Sequence, residues 1–75
     1  MIIQKENYDT AMQEYQTLAE KYPYFPEAKY YMGLTKFRQK DFEGAAFYFN
    51  EALNLYPDHE KSQKGLDNVK KRFWK

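Results

Sequence analysis

Apolar residues recur along the chain in four runs, each stepping by three or four positions. Tyr8, Ala11, Tyr15 and Leu18 form the first, Tyr30, Leu34 and Phe37 the second, Phe42, Ala45, Phe49 and Ala52 the third, and Leu66, Val69 and Phe73 the fourth. That spacing puts each set on one face of a helix, and the strict alternation of a half-buried strand is absent. The punctuation agrees, because Pro23, Pro26 and Pro57 fall between the runs. Asn7 is placed to cap a helix running to about Tyr22. Pro26 suits the first turn of a second helix ending near Lys40, where its missing N–H leaves no partner unsatisfied. Asp41 is placed to cap a third helix to about Tyr56, and Asp58 a fourth to about Trp74. Short connections make the four helices antiparallel neighbours, so the predicted fold is all-α.

Composition narrows what such a fold can do. The chain has 75 residues, one small domain at most, and a chain of that size buries only about 60% of the surface its unfolded form exposes. Aromatic residues make up 20%, with eight Tyr and six Phe. Rings bury large areas, which argues against disorder and points to packing or recognition surfaces. There is no cysteine, which removes disulfides and thiolate zinc sites, and His59 is the single histidine. Neither a metal site nor a cofactor is expected. The carboxylates are spread over helix faces and no Gly-rich phosphate loop occurs, so no catalytic residue is predicted and the chain reads as a non-enzyme. His59, beside Pro57 and Asp58, is expected in a turn with a solvated or capping role. No apolar stretch approaches a membrane span, and Met1-Ile2-Ile3 turns polar at Gln4, so the segment is expected to be soluble and untargeted, cytoplasmic by default.

Net charge is +1, too balanced for a chain that grips nucleic acid as a whole. The balance hides a division, since residues 61–75 hold Lys61, Lys64, Lys70, Lys71, Arg72 and Lys75 against Asp67 alone. That is +5, leaving residues 1–60 at −4. The acidic first 60 residues argue against nucleic-acid binding, while a basic last helix also complements its own dipole.

A shift of 34 residues brings two parts of the chain into register. Asn7-Tyr8-Asp9 falls on Asp41-Phe42-Glu43, Ala11 on Ala45, Tyr15 on Phe49, and Tyr22-Pro23 on Tyr56-Pro57. Small residue, aromatic and terminal proline recur together. The sequence here resembles the tetratricopeptide repeat, a helix-turn-helix unit of that length. Residues 26–59 carry its pattern: Met32-Gly33 at the large residue and glycine, Phe42 at the start of the second helix, Ala45, Phe49 and Ala52 at the small, aromatic and small places, and Pro57 closing. Glycine and alanines let two helices approach, and aromatics fill the space between successive units. The resemblance implies antiparallel hairpins of an α-solenoid. Residues 1–24 then read as the second helix of a partial repeat, 25–58 as a complete repeat, and 59–75 as a capping helix or the first helix of a next repeat. Leu66 stands at the large position of that last helix and Asp67 at the glycine position, which favours a cap.

The resemblance also implies where a ligand would bind. Lys29 and Lys36 stand where the family places aromatics facing the hairpin partner, and a helical wheel groups them with Lys40, nearly opposite Tyr30, Leu34 and Phe37. In the family the latter stripe faces the concave groove. Tyr30, Leu34 and Phe37, with Arg38 beside them, are therefore the candidate partner-binding surface. Lys64 and Asn68 lie one turn apart, at places similar to those that hold a peptide's terminal carboxylate in chaperone-binding members. With Lys71 they extend the candidate site, and the implied partner is a protein or peptide of acidic or C-terminal carboxylate character. The expected function is a scaffold or adaptor module; the alternative is self-association into a homo-oligomer through an uncovered N-terminal face and the aromatic stripe.

Overall fold

The structure, a computed structural model, describes the backbone of residues 7–73 and the side chains of residues 8–72. The side chains of Asn7, Phe73 and Trp74, expected as a cap and as apolar groups at the chain's end, lie outside the described residues, as do Met1 to Gln4. Four helices follow one another: α1 (Asn7–Lys21), α2 (Pro26–Arg38), α3 (Phe42–Leu55) and α4 (Glu60–Phe73). No strand occurs among the described residues. None of the helices is long and apolar enough to cross a membrane.

The local chemistry explains the boundaries. Proline cannot continue a helix and biases the residue before it towards extended backbone, so α1 ends just ahead of Tyr22-Pro23. Phe25 is extended and opens α2 without a side-chain cap, and Pro26 occupies the first turn as expected. α2 ends at Arg38, two residues before the predicted Lys40. The reason is that Lys40 turns into the left-handed region, with φ 66°. The amide of Lys40 then donates to Phe37 O at 2.9 Å and that of Asp41 to Lys36 O at 2.9 Å, which satisfies the last carbonyls of the helix. Asp41 caps α3, its carboxylate accepting from the Gly44 amide at 3.0 Å, a contact of the kind worth about 1 kcal/mol. At the far end Tyr56 is extended ahead of Pro57, and α3 stops at Leu55.

α4 departs from the prediction. Asp58 lies in the turn and does not cap it; the helix begins at Glu60, and the carbonyl of His59 accepts the first helical bond, from the Gln63 amide at 3.1 Å. Pro57 and Asp58 are used up in reversing the chain, as the His59 amide bonds back to Tyr56 O at 3.0 Å.

α2 and α3 form the most extensive interface, α1 packs on α2, α4 packs on α3, and a smaller contact joins α4 to α2. Among the described helices α1 touches α2 alone. The result is a slab of 36 × 36 × 18 Å. Its core is Ala45, Phe49, Leu66 and Val69, with Tyr30, Leu34, Phe37, Phe42, Ala46 and Leu53 packed around it. Phe49 is the centre. It is wholly buried, and a Cβ added at Gly33 of α2 or at Gly65 of α4 would lie 2.6 Å from its ring. Two helices therefore close on one ring because each presents a bare backbone to it.

Candidate functional site

α2 and α4 lie side by side and are tied near both ends. Near their N-termini the His59 ring meets Glu27, with Nε2 3.2 Å from Glu27 Oε2. Near their C-termini the Arg72 guanidinium lies over the Phe37 ring, 5.6 Å from its centroid. The two helices thus run alongside one another, Tyr30, Leu34 and Phe37 belonging to the first and Lys64, Asn68 and Lys71 to the second.

On α2, Tyr30, Leu34 and Phe37 are half-buried, with their inner sides against the core cluster. Tyr30 is within 5.9 Å of the Phe49 ring centroid, 5.3 Å of Tyr31 and 5.6 Å of His59. Phe37 meets Phe42 edge-on at 5.3 Å. These rings are shared between core and surface and do not form a free-standing stripe. On α4, Lys64, Asn68 and Lys71 are exposed. Arg38 is exposed as well, but it sits apart at the end of α2, in a recess of about 550 Å³ lined by Tyr8, Arg38, Gln39 and Lys40.

Of the two roles expected of it, solvated or capping, His59 has the second: it stands at the N-cap position of α4 and is not solvated. Only 6% of it is accessible, and its Nδ1 lies 2.7 Å from Ser62 Oγ, within the first turn of its own helix. Sequence reasoning missed this carboxylate–imidazole–hydroxyl chain because Glu27 is 32 positions away from His59. The set has the members of a nucleophilic triad without its access: Ser62 is wholly buried, so no substrate reaches its oxygen. Its role is to hold two helix ends together, with each buried polar group partnered. Among the described residues no cluster of three His, Asp or Glu is placed to hold a metal.

The lysines at the family's aromatic places do turn towards α3. Lys29 Nζ lies 3.5 Å from Glu51 Oε1 and 6.0 Å from the Tyr48 ring centroid, and Lys36 Nζ lies 3.7 Å from Asp41 Oδ2. Charge and cation–π contact replace ring packing at that hairpin, at partly exposed positions where each pair is worth about 0–1 kcal/mol.

A second feature went unpredicted. α1 and α3 do not touch, and between them opens a cleft of about 390 Å³ whose floor is Lys29 and Met32 of α2. Phe47, 56% exposed, stands among its lining residues. One signal for it exists in the sequence. Phe47 lies off the apolar stripe of α3, and the 34-residue shift aligns it with the polar Gln13 of α1.

Comparison with known families matches residues 26–59 to the tetratricopeptide repeat. No curated protein and no solved structure matches the chain. The matched span is α2, α3 and the turn leading to α4; Gly33 faces the Phe49 ring, and Ala45, Phe49 and Ala52 are wholly buried, as the pattern requires. The chain carries a tetratricopeptide repeat over residues 26–59, a module of the kind that serves protein–protein interaction.

Proposed function

We propose that the chain is a scaffold or adaptor module that binds a protein segment along the joint face of α2 and α4. The observation that carries this reading is the alignment of those two helices. Tyr30, Leu34 and Phe37 are half-exposed on the one and Lys64, Asn68 and Lys71 exposed on the other, and the ties near both ends support reading them as one surface. Rings on one side and ammonium and amide donors on the other suit a segment that pairs apolar side chains with carboxylates. Arg38 extends the cationic edge at the far end of α2.

The surface rings also contribute to the core, so their removal alone cannot separate binding from folding. The exposed lysines can. Binding of a fluorescent acidic peptide ending in a free carboxylate, set against its amidated form, is measured for the wild type and for Lys64→Glu/Lys71→Glu. The expected result is a loss of at least about tenfold in affinity for the double variant, with unchanged far-UV dichroism, since each tenfold is about 1.4 kcal/mol. Equal binding by the wild type and the double variant would remove the basic half of the proposed site.

A further inference from the structure

The cleft between α1 and α3 has a character opposite to that of α4. Glu20 and Glu51 line it, and its one lining cation, Lys29, already lies against Glu51. Glu20 is exposed and in no ion pair among the described residues. Beside the carboxylates stand Phe47 and Tyr48, in edge-on contact at 5.1 Å, with Ala19, Met32 and Leu55 completing the apolar lining. The cleft also shows how it handles a cation: the Lys29 ammonium sits between the Glu51 carboxylate and the Tyr48 ring. An acidic, aromatic recess of this kind suits a cation with an apolar stem.

The chain itself supplies such a ligand. The last turn of α4 carries Lys70, Lys71 and Arg72, and the sequence from Lys70 to Lys75 holds no acidic residue and places Phe73 and Trp74 among its cations. Lys70 and Lys71 are exposed and in no ion pair among the described residues. They cannot fill the cleft of their own copy, because α4 makes no contact with α1, which forms one of its walls. A second copy can. The same division appears in the whole sequence, +5 over residues 61–75 against −4 over residues 1–60.

We propose that the α1–α3 cleft receives the basic last turn of α4 from a second copy of the chain, so that copies join head to tail. The two contacting surfaces differ, so the junction does not close on itself in a pair. It leaves one free cleft and one free basic turn at the ends, and it extends with concentration. Its attraction is between exposed charges and is weakened by salt. It uses neither Tyr30 nor Phe37 and shares Lys71 alone with the peptide-binding reading, so Glu20→Lys, which leaves that residue intact, tells failure of one reading from failure of the other.

Light scattering of the full chain over a range of concentrations tests this. In about 20 mM salt, where screening is weak, the mean mass is expected to rise above that of one chain as concentration rises, and to fall back in about 0.5 M salt. Glu20→Lys spoils the cleft and keeps the basic turn, whereas Lys70→Gln/Lys71→Gln spoils the turn and keeps the cleft. All three positions are exposed, and far-UV dichroism verifies that each variant stays helical. Each variant alone is expected to remain monomeric. An equimolar mixture is expected to form a species of twice the monomer mass and nothing larger, because one intact cleft then meets one intact turn. A wild type that is monomeric at every concentration in low salt overturns the proposal. So does association indifferent to salt, or a mixture that stays monomeric while the wild type associates.

Discussion

Helices α1 and α3 coincide under the 34-residue shift, yet they are held in different ways. Both place a small residue, an aromatic and a third apolar group on one face: Ala11, Tyr15 and Leu18 in α1, Ala45, Phe49 and Ala52 in α3. In α3 all three are wholly buried, because α2 covers one side of the stripe and α4 the other. In α1 all three are half-exposed, because α2 is the only described helix against it. The aromatics show the contrast best. Phe49 is enclosed between Gly33 and Gly65, whereas Tyr15 stacks on one ring, Tyr31, at 5.4 Å. The remaining faces differ too. α3 carries Phe47, Tyr48 and Leu55 where the shift gives α1 the exposed Gln13, Glu14 and Lys21. Gln13, Glu14 and Lys21 therefore give α1 a polar flank beside its half-exposed apolar stripe. One pattern thus produces a core helix or a covering helix according to how many neighbours it has.

Truncating the two aromatics is the most direct way to break that comparison. Phe49→Ala empties the centre of the core and is expected to cost about 3–5 kcal/mol, enough to unfold much of so small a chain at room temperature. Tyr15→Ala loses one stacked pair and half-buried area, for about 1–2 kcal/mol. Urea titrations followed by helical dichroism measure both. Similar losses for the two variants would mean that α1 is as deeply held as α3.

A smaller change sharpens the comparison at the point where α4 closes over α3. Gly65→Ala introduces a methyl carbon 2.6 Å from the Phe49 ring. The ring is enclosed and has no free direction to move, so the cost is expected at about 1–3 kcal/mol. Combining it with Phe49→Leu, which removes the opposing ring atoms, should make the pair markedly less destabilising than the sum of the two single changes. Additive losses would show that the ring does not set the distance between α3 and α4.

Gly65 also marks the limit of what the sequence shows. The four helices, the Pro26 start, the Asp41 cap and the matched repeat over residues 26–59 were all legible, because each follows from local spacing or local hydrogen bonding. Gly65 was not, since the repeat register assigns the glycine position of α4 to Asp67, and only the approach of Phe49 from another helix gives Gly65 its role. The tie from His59 to Glu27 escaped for the same reason, as did the α1–α3 cleft: each is made by residues that sequence distance separates and packing brings together. Tyr30, Leu34 and Phe37 were legible as a set on one face of α2. Their half-burial was not, because a helical wheel gives direction and says nothing of how much of a ring a neighbouring helix takes up.

The smallest expected effect concerns the connection from which α3 starts. Lys40 stands with φ 66° at a position where helices commonly end on glycine, because a Cβ there crowds the backbone. Left-handed backbone costs a residue with a side chain about 1–2 kcal/mol. The Lys40 side chain is exposed and in no ion pair among the described residues, so its removal forfeits little. Glycine relieves the crowding, but it also gives the unfolded chain more freedom, which offsets part of the gain. Lys40→Gly should therefore stabilise the protein by about 0.5–1 kcal/mol. The gain should appear as a higher urea midpoint with an unchanged slope. Because the α2–α3 turn sets how α3 meets the core, the same variant should slow amide exchange in α3 more than in α1. A lower midpoint would show that the lysine side chain contributes more to that turn than its backbone conformation costs.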